Sequence, residues 1–161
     1  MQKQSHYEKQ VQKMSSSNQQ SLETQKIVVV GNGMVGHHFV EQLAQLRASA
    51  EAVDITVLSA EPRLAYDRVH LSEYFSGKTA EDLAMTDENT YDKWGVKFKT
   101  NAKVVDIDRI NKNVVTESGN VHEYDKLILA TGSYPFVPPI PGKDREHCLV
   151  YRTIDDLEDI Q

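Results

Sequence analysis

The stretch "KIVVVGNGMVGHHFVEQL", residues 26–43, decides how the rest of the chain reads. Ile27, Val28, Val29 and Val30 form an unbroken apolar run, the pattern of a strand buried on both faces of a parallel sheet. Gly31, Gly33 and Gly36 follow at G-x-G-x-x-G spacing. Such a turn needs its first glycine for tightness, its second so that a pyrophosphate can approach the backbone, and its third for close helix–strand packing. A helix is expected from Met34 to Arg47, with Val35, Phe39, Leu43 and Leu46 as its apolar face. Its first residues, Met34 and Val35, would offer free N–H groups and the positive dipole end to phosphates. A second strand, Asp54 to Ser59, completes a βαβ unit, the context a phosphate-binding glycine turn requires.

The remaining chain alternates short elements with punctuation. Pro62 interrupts regular structure, and a short helix is expected from Leu71 to Phe75. "TAEDLAM" reads as another, capped by Thr79, and "DENTYDKWG" as a third, ended by Gly95. Short strands follow at 97–99, 104–108 and 113–117, and "ESGN" turns the chain back through 121–124. Residues 97–124 therefore read as a small antiparallel insertion. "DKLILATGS" is a buried strand, Leu127 to Ala130, entering a second glycine turn. The prolines of "YPFVPPIPG" forbid a helix there. Residues 147–151 are a candidate strand, and a helix begins at Thr153. The fold class is α/β: a parallel sheet with helices and a small three-stranded antiparallel insertion.

Composition narrows the function classes. The chain has 161 residues, a core-forming 39% hydrophobic content and a net charge of −6 with no basic run, so no nucleic-acid partner is expected. Cys148 is the single cysteine, which excludes an internal disulfide, a dithiol pair or a cysteine-ligated cluster within these residues; a partly buried place is expected for it. No apolar run approaches the roughly 20 residues of a membrane span, and the N-terminus lacks a signal-like apolar segment, so no membrane partner and a cytoplasmic location are expected. Residues 1–25, rich in Gln and Ser, read as a disordered tail with a weak amphipathic helix around Tyr7 to Met14. Residues 26–161 form the folded part.

Glu61 lies at the C-terminal edge of the second strand, close to the roughly 20 residues past the last glycine where an acid binds ribose hydroxyls. An acid there disfavours a 2′-phosphate, which leaves FAD or NAD as the dinucleotide.

Three motifs add a resemblance. "ATGSYPFVPPIPG" resembles the A-T-G turn of flavoproteins with two dinucleotide-binding domains. "EPRLAYDRVHLS" resembles a segment of FAD-dependent reductases serving ferredoxin-like and rubredoxin-like acceptors and nitrite reductase. Together with the first turn and "VYRTIDDL", they resemble the N-terminal part of NAD(P)H-dependent assimilatory nitrite reductase large subunits, within the pyridine nucleotide-disulfide oxidoreductase-like flavoproteins. The resemblance runs from about residue 26 to 161. It implies an incomplete Rossmann-like FAD/NAD(P)-binding fold and FAD held by Gly31, Gly33, Met34, Val35, Gly36, Glu61, Arg68, Val105, Ala130, Thr131 and Gly132. Arg68 would reach a phosphate, for which a guanidinium fork is suited. It further implies NAD(P)H as hydride donor, and iron–sulfur and sirohaem groups elsewhere in an intact protein. The remaining domains of the polypeptide would be partners, with a small subunit a further candidate. Glu73 stands where many relatives of this kind have Lys, and Ala65 and Val69 where they often have Pro. The family's later Gly-Asp motif and second glycine fingerprint do not occur in these residues, so the chain is expected to be a fragment or truncated product, inactive toward nitrite alone.

Other readings stay open at this point: a stand-alone FAD-dependent ferredoxin or rubredoxin reductase, a non-catalytic nucleotide-binding module, or a plain NAD-binding domain. No side chain earns a catalytic assignment, because the flavin carries the chemistry. His37 and His38 point about 100° apart and cannot share a ligand face, so partly exposed helix histidines are expected. His70 is a candidate for a flavin-side role; Tyr66 packs either in the core or against the cofactor. Tyr91 and Trp94 read as core or rim aromatics.

Overall fold

The computed structural model describes residues 24–47 and 53–161. The expected disordered tail and the helix around Tyr7 to Met14 lie outside the described residues, apart from Thr24 and Gln25, the latter already paired with Val53.

Strand β1 (Gln25–Val30) is the centre of a parallel sheet, between β2 (Val53–Leu58) and β7 (Lys126–Leu129); β3 (Val96–Lys99) extends the far side of β2. Val28 sits opposite Thr56 on one flank and Leu127 on the other. Alternate side chains of β1 point to opposite faces. Ile27 and Val29 join Val40, Ile55, Val57, Tyr91 and Val96 on the helical side. Val28 and Val30 join Leu58, Ala102 and Val114 on the other. That second face is covered by the antiparallel sheet of β4 (Val104–Asp108), β5 (Asn113–Thr116) and β6 (Val121–Glu123). This double cover is why β1 reads as continuously apolar rather than alternating.

Helix α1 (Met34–Arg47) follows the first glycine turn, a 3₁₀ helix spans Leu71–Ser76, and α2 (Glu88–Lys93) leads into β3. Helix α3 (Ile154–Ile160) starts at a capping box: the Asp156 N–H donates to Thr153 Oγ1 at 3.2 Å, and the Thr153 N–H to Asp156 Oδ2 at 2.7 Å. Ile154 and Leu157 pack with Tyr66, Leu71 and Leu83 in a third cluster.

Several expectations are corrected. The strand at 97–99 belongs to the parallel sheet, so the antiparallel insertion spans 104–123. "TAEDLAM" is a turn rather than a helix. The Thr79–Asp82 cap bonds form, but the chain then pairs back: the Asp67 N–H donates to the Leu83 carbonyl and the Met85 N–H to the Ala65 carbonyl, both at 2.9 Å. Residues 147–151 form no strand, and His147 adopts φ 64°, which a ladder does not accommodate. On α1, Val35 and Leu46 are exposed, and the buried face runs through Gly36, His37 and Val40. Gly36 must face the strand for close approach, and that fixes the rotation of the helix. Cys148 is exposed.

Candidate functional site

A cleft of about 500 Å³ opens at the C-terminal ends of β1, β2 and β7, where open α/β sheets place their ligands. The first turn is held from the neighbouring strand: the Gly31 N–H donates to the Leu58 carbonyl at 2.9 Å. Gly31 has φ 101°, and a Cβ there would run into the Ala130 carbonyl and stand 3.0 Å from the Thr131 Cα. The two glycine turns are therefore in contact. At Gly36 a Cβ would collide with the Gly31 carbonyl oxygen. At Gly33 the nearest atom to a Cβ would be Arg68 Nε, at 3.9 Å, so that face is open to the cleft.

Of the residues expected to bind a cofactor, Gly31, Gly33, Met34, Val35, Glu61, Arg68, Ala130, Thr131 and Gly132 all line this cleft. Val35 is 75% exposed, which its place at the mouth explains. Gly36 does not line it; it is buried beneath, where it lets α1 meet the turn. Val105 does not line it either. The β4–β5 register shifts between Val104 and Asp106, so Val105 falls at a bulge and lines a neighbouring groove, while Val104 reaches the cleft.

Further lining residues escaped the sequence reading: Asn32, Ser59, Lys103, Tyr134 and Arg152 among them. Arg152 lies against the second turn, with Nη2 2.9 Å from where a Cβ on Gly132 would stand. Arg68, Lys103 and Arg152 line the cleft beside a single carboxylate, Glu61, with the Lys103 ammonium turned to Glu117 at 3.3 Å. The first turn of α1 carries no acid to offset its dipole. This electrostatic balance suits a dianionic group.

The carboxylate is tightly engaged. Tyr66 Oη donates to Glu61 Oε2 at 2.8 Å, and Arg68 pairs with Oε1. Arg68 Nη1 also donates to the Arg152 carbonyl at 3.2 Å. Burial, and then the bond to Glu61, holds the Tyr66 pKa well above the usual phenol value.

Beneath the first turn, His37 is buried, contrary to expectation, with Nδ1 2.9 Å from Tyr91 Oη; that hydroxyl donates to Asn32 Oδ1 at 2.9 Å. Burial lowers the His37 pKa and raises that of Tyr91 to about 12. His38 is exposed and pairs with Glu41 at 3.2 Å. His70 lies outside the cleft, 2.6 Å from Asp67, with its pKa raised by that carboxylate. Tyr91 is core and Trp94 packs against it. Among the described residues no group of three or more His, Cys, Asp or Glu could hold a metal ion, and no helix is long and apolar enough to cross a membrane.

Paired parallel strands, a glycine turn opening a helix, and a second turn converging on one cationic cleft define a dinucleotide-binding α/β unit of the two-turn type. Residues 25–161 match the model of the pyridine nucleotide-disulphide oxidoreductase family, and the chain belongs to that family. It is 49% identical over 136 residues to the nitrite reductase (NADH) large subunit of Escherichia coli, covering 84% of this chain and 16% of that protein. It is 47% identical over 134 residues to the nitrite reductase [NAD(P)H] large subunit of Klebsiella oxytoca, covering 83% of this chain and 14% of that one. The chain thus spans a small part of the length of these relatives. Among solved structures, NADH:rubredoxin oxidoreductase from Clostridium acetobutylicum aligns with a TM-score of 0.72 and 29% identity, over 86% of this chain and 35% of that one.

Proposed function

We propose that this chain is the FAD-binding segment of an NAD(P)H-dependent nitrite reductase large subunit, acting in the cytoplasm with the remaining domains of such a polypeptide and a small subunit as partners. When bound, FAD would supply hydride acceptance from NAD(P)H, and the onward reduction of nitrite to ammonium would fall to iron–sulfur and sirohaem groups held outside these residues. The chain's own residues bind and orient. Gly33 and the α1 N-terminus hold the diphosphate with backbone N–H groups, while Gly31, its own N–H on the Leu58 carbonyl, shapes the turn; Met34 and Val35 form that first turn of helix. Gly36 lets the helix approach. Glu61 accepts from ribose hydroxyls, and Arg68 and Arg152 supply guanidinium groups to the anionic middle of the cofactor. Ala130, Thr131 and Gly132 close the cleft from the second turn, with Val104 and Val105 beside it.

The observation that carries this reading is the contact between the two glycine turns around the open face of Gly33. An open backbone face at the helix start, beside the guanidinium groups of Arg68 and Arg152, suits a diphosphate. Identity of 49% to a nitrite reductase subunit, against 29% to a rubredoxin reductase, favours nitrite reductase over the simpler reductase as the parent protein. The test is a visible spectrum of the purified chain after FAD addition and gel filtration, beside a Gly33→Val variant. Flavin absorbance near roughly 450 nm is expected in the first and not in the second. Equal uptake by both overturns the assignment.

A further inference from the structure

Tyr66 makes two contacts with the working side chains of the cleft and one with the helix behind it. Its hydroxyl donates to Glu61 Oε2 at 2.8 Å. Its ring lies under the Arg68 guanidinium, 4.9 Å from Cζ to the centroid. Ile154 and Leu157 of α3 pack in one cluster with the same side chain. A phenol has one proton to give. A carboxylate only accepts, so the proton on the Tyr66 oxygen goes to Glu61. The ring is 3% exposed and packs among Leu71, Leu83, Ile154 and Leu157, so the hydroxyl has little freedom to turn elsewhere. Its raised pKa keeps it a neutral donor throughout the neutral range.

A carboxylate offers about four acceptor sites. Tyr66 occupies one on Oε2 and Arg68 one on Oε1. One site on each oxygen is left, which matches the paired hydroxyls of a ribose. A phosphate ester in the same place would bring negative charge against a carboxylate that cannot swing away, because Tyr66 and Arg68 hold both its oxygens.

We propose that Tyr66 is the positioning residue of the ribose end of the cleft, fixing the Glu61 carboxylate so that the site takes an unphosphorylated adenosine ribose and rejects its 2′-phosphate. This rests on the reading of the cleft as an adenine-dinucleotide site.

The test uses ADP and 2′-phospho-ADP as probes, titrated calorimetrically into the chain and into Tyr66→Phe. The phenylalanine keeps the ring, the core contacts and the stacking on Arg68, and removes only the donor. ADP affinity should fall about tenfold, the scale of one lost hydrogen bond to a charged group. The preference for ADP over 2′-phospho-ADP should shrink with it. In a Glu61→Gln background, Tyr66→Phe should change neither quantity further. A role confined to packing predicts equal weakening of both probes and an effect that persists in Glu61→Gln; that result overturns the proposal. If Tyr66→Phe does not fold, a fluorinated tyrosine at 66 serves instead. Its more acidic hydroxyl should cost ADP affinity as pH rises through its lowered pKa, and an affinity independent of pH overturns the proposal. Failure of the unaltered chain to bind ADP or FAD at all refutes the reading of the cleft, whereas ADP binding that Tyr66→Phe leaves unchanged refutes the role of Tyr66 alone.

Discussion

Gly36→Ala and Gly33→Ala differ by three positions and should fail in opposite ways. At Gly36 the added methyl meets the Gly31 carbonyl oxygen, with the Gly31 carbonyl carbon 3.1 Å and the Ala130 Cβ 3.3 Å away. The obstructing atom is backbone, and its residue is bonded through its N–H to Leu58 at 2.9 Å, so it has little room to recede. Helix α1 must move off the strand instead. Overpacking of this kind costs about 1–3 kcal/mol, and the gain in helix propensity returns at most about 1 kcal/mol. A net loss near 1–2 kcal/mol corresponds to a fall in Tm of roughly 2–8 °C for a domain of this size. At Gly33 the methyl finds only Arg68 Nε, 3.9 Å away, so stability should move by less than about 0.5 kcal/mol. It occupies that open face, however, and FAD affinity should drop at least about tenfold. Urea unfolding followed by circular dichroism reads the first effect, and quenching of flavin fluorescence the second. A Gly36→Ala chain of unaltered stability, or a Gly33→Ala chain that unfolds, refutes the division of labour between the two glycines.

Tyr91→Phe should lose about 1–3 kcal/mol in urea unfolding, because it strands buried groups on both His37 and Asn32. Arg68→Lys should weaken FAD binding more than its retained charge suggests, since an ammonium cannot serve Glu61, the Arg152 carbonyl and a phosphate in one plane; fluorescence titration measures it. His37 has a folded-state pKa below its unfolded value, so it binds fewer protons folded than unfolded under mildly acidic conditions. Its contribution is intact above the ordinary value of about 6.5 and is lost as pH falls toward the lowered one. His70, raised by Asp67, contributes with the opposite sign. The Tm of the unaltered chain should therefore fall more steeply below pH 6.5 than that of His37→Gln, and parallel curves would refute the assignment.

What could be read from the sequence was local. The run Ile27 to Val30, the three glycines and the helix start lie within a dozen residues, and each constraint there acts on its neighbours. The α1 boundaries, the capped start of α3 and the αL glycine after α2 were legible for the same reason. The buried face of α1 departs from the helical period that Val35 and Leu46 fit, because Gly36, which has no side chain to count, sets the rotation. The place of β3 in the parallel sheet depends on pairing with β2 across some 40 residues of chain, which a short apolar run does not encode. Arg152 and Lys103 reach the cleft only through tertiary placement, and Tyr66 reads as a core aromatic until its hydroxyl is seen on Glu61. His37 reads as a partly exposed helix histidine because its partners, Tyr91 in α2 and Trp94 just after it, lie more than 50 residues away.

Titration of FAD into the isotope-labelled chain, followed by amide chemical shifts, addresses the cleft most directly. The amides of Gly31, Gly33, Met34, Thr131 and Gly132 should move together along one binding curve, with those of the β5–β6 turn at Ser118 and Gly119 unmoved. Saturable binding that shifts the second set and leaves the first in place would contradict the account.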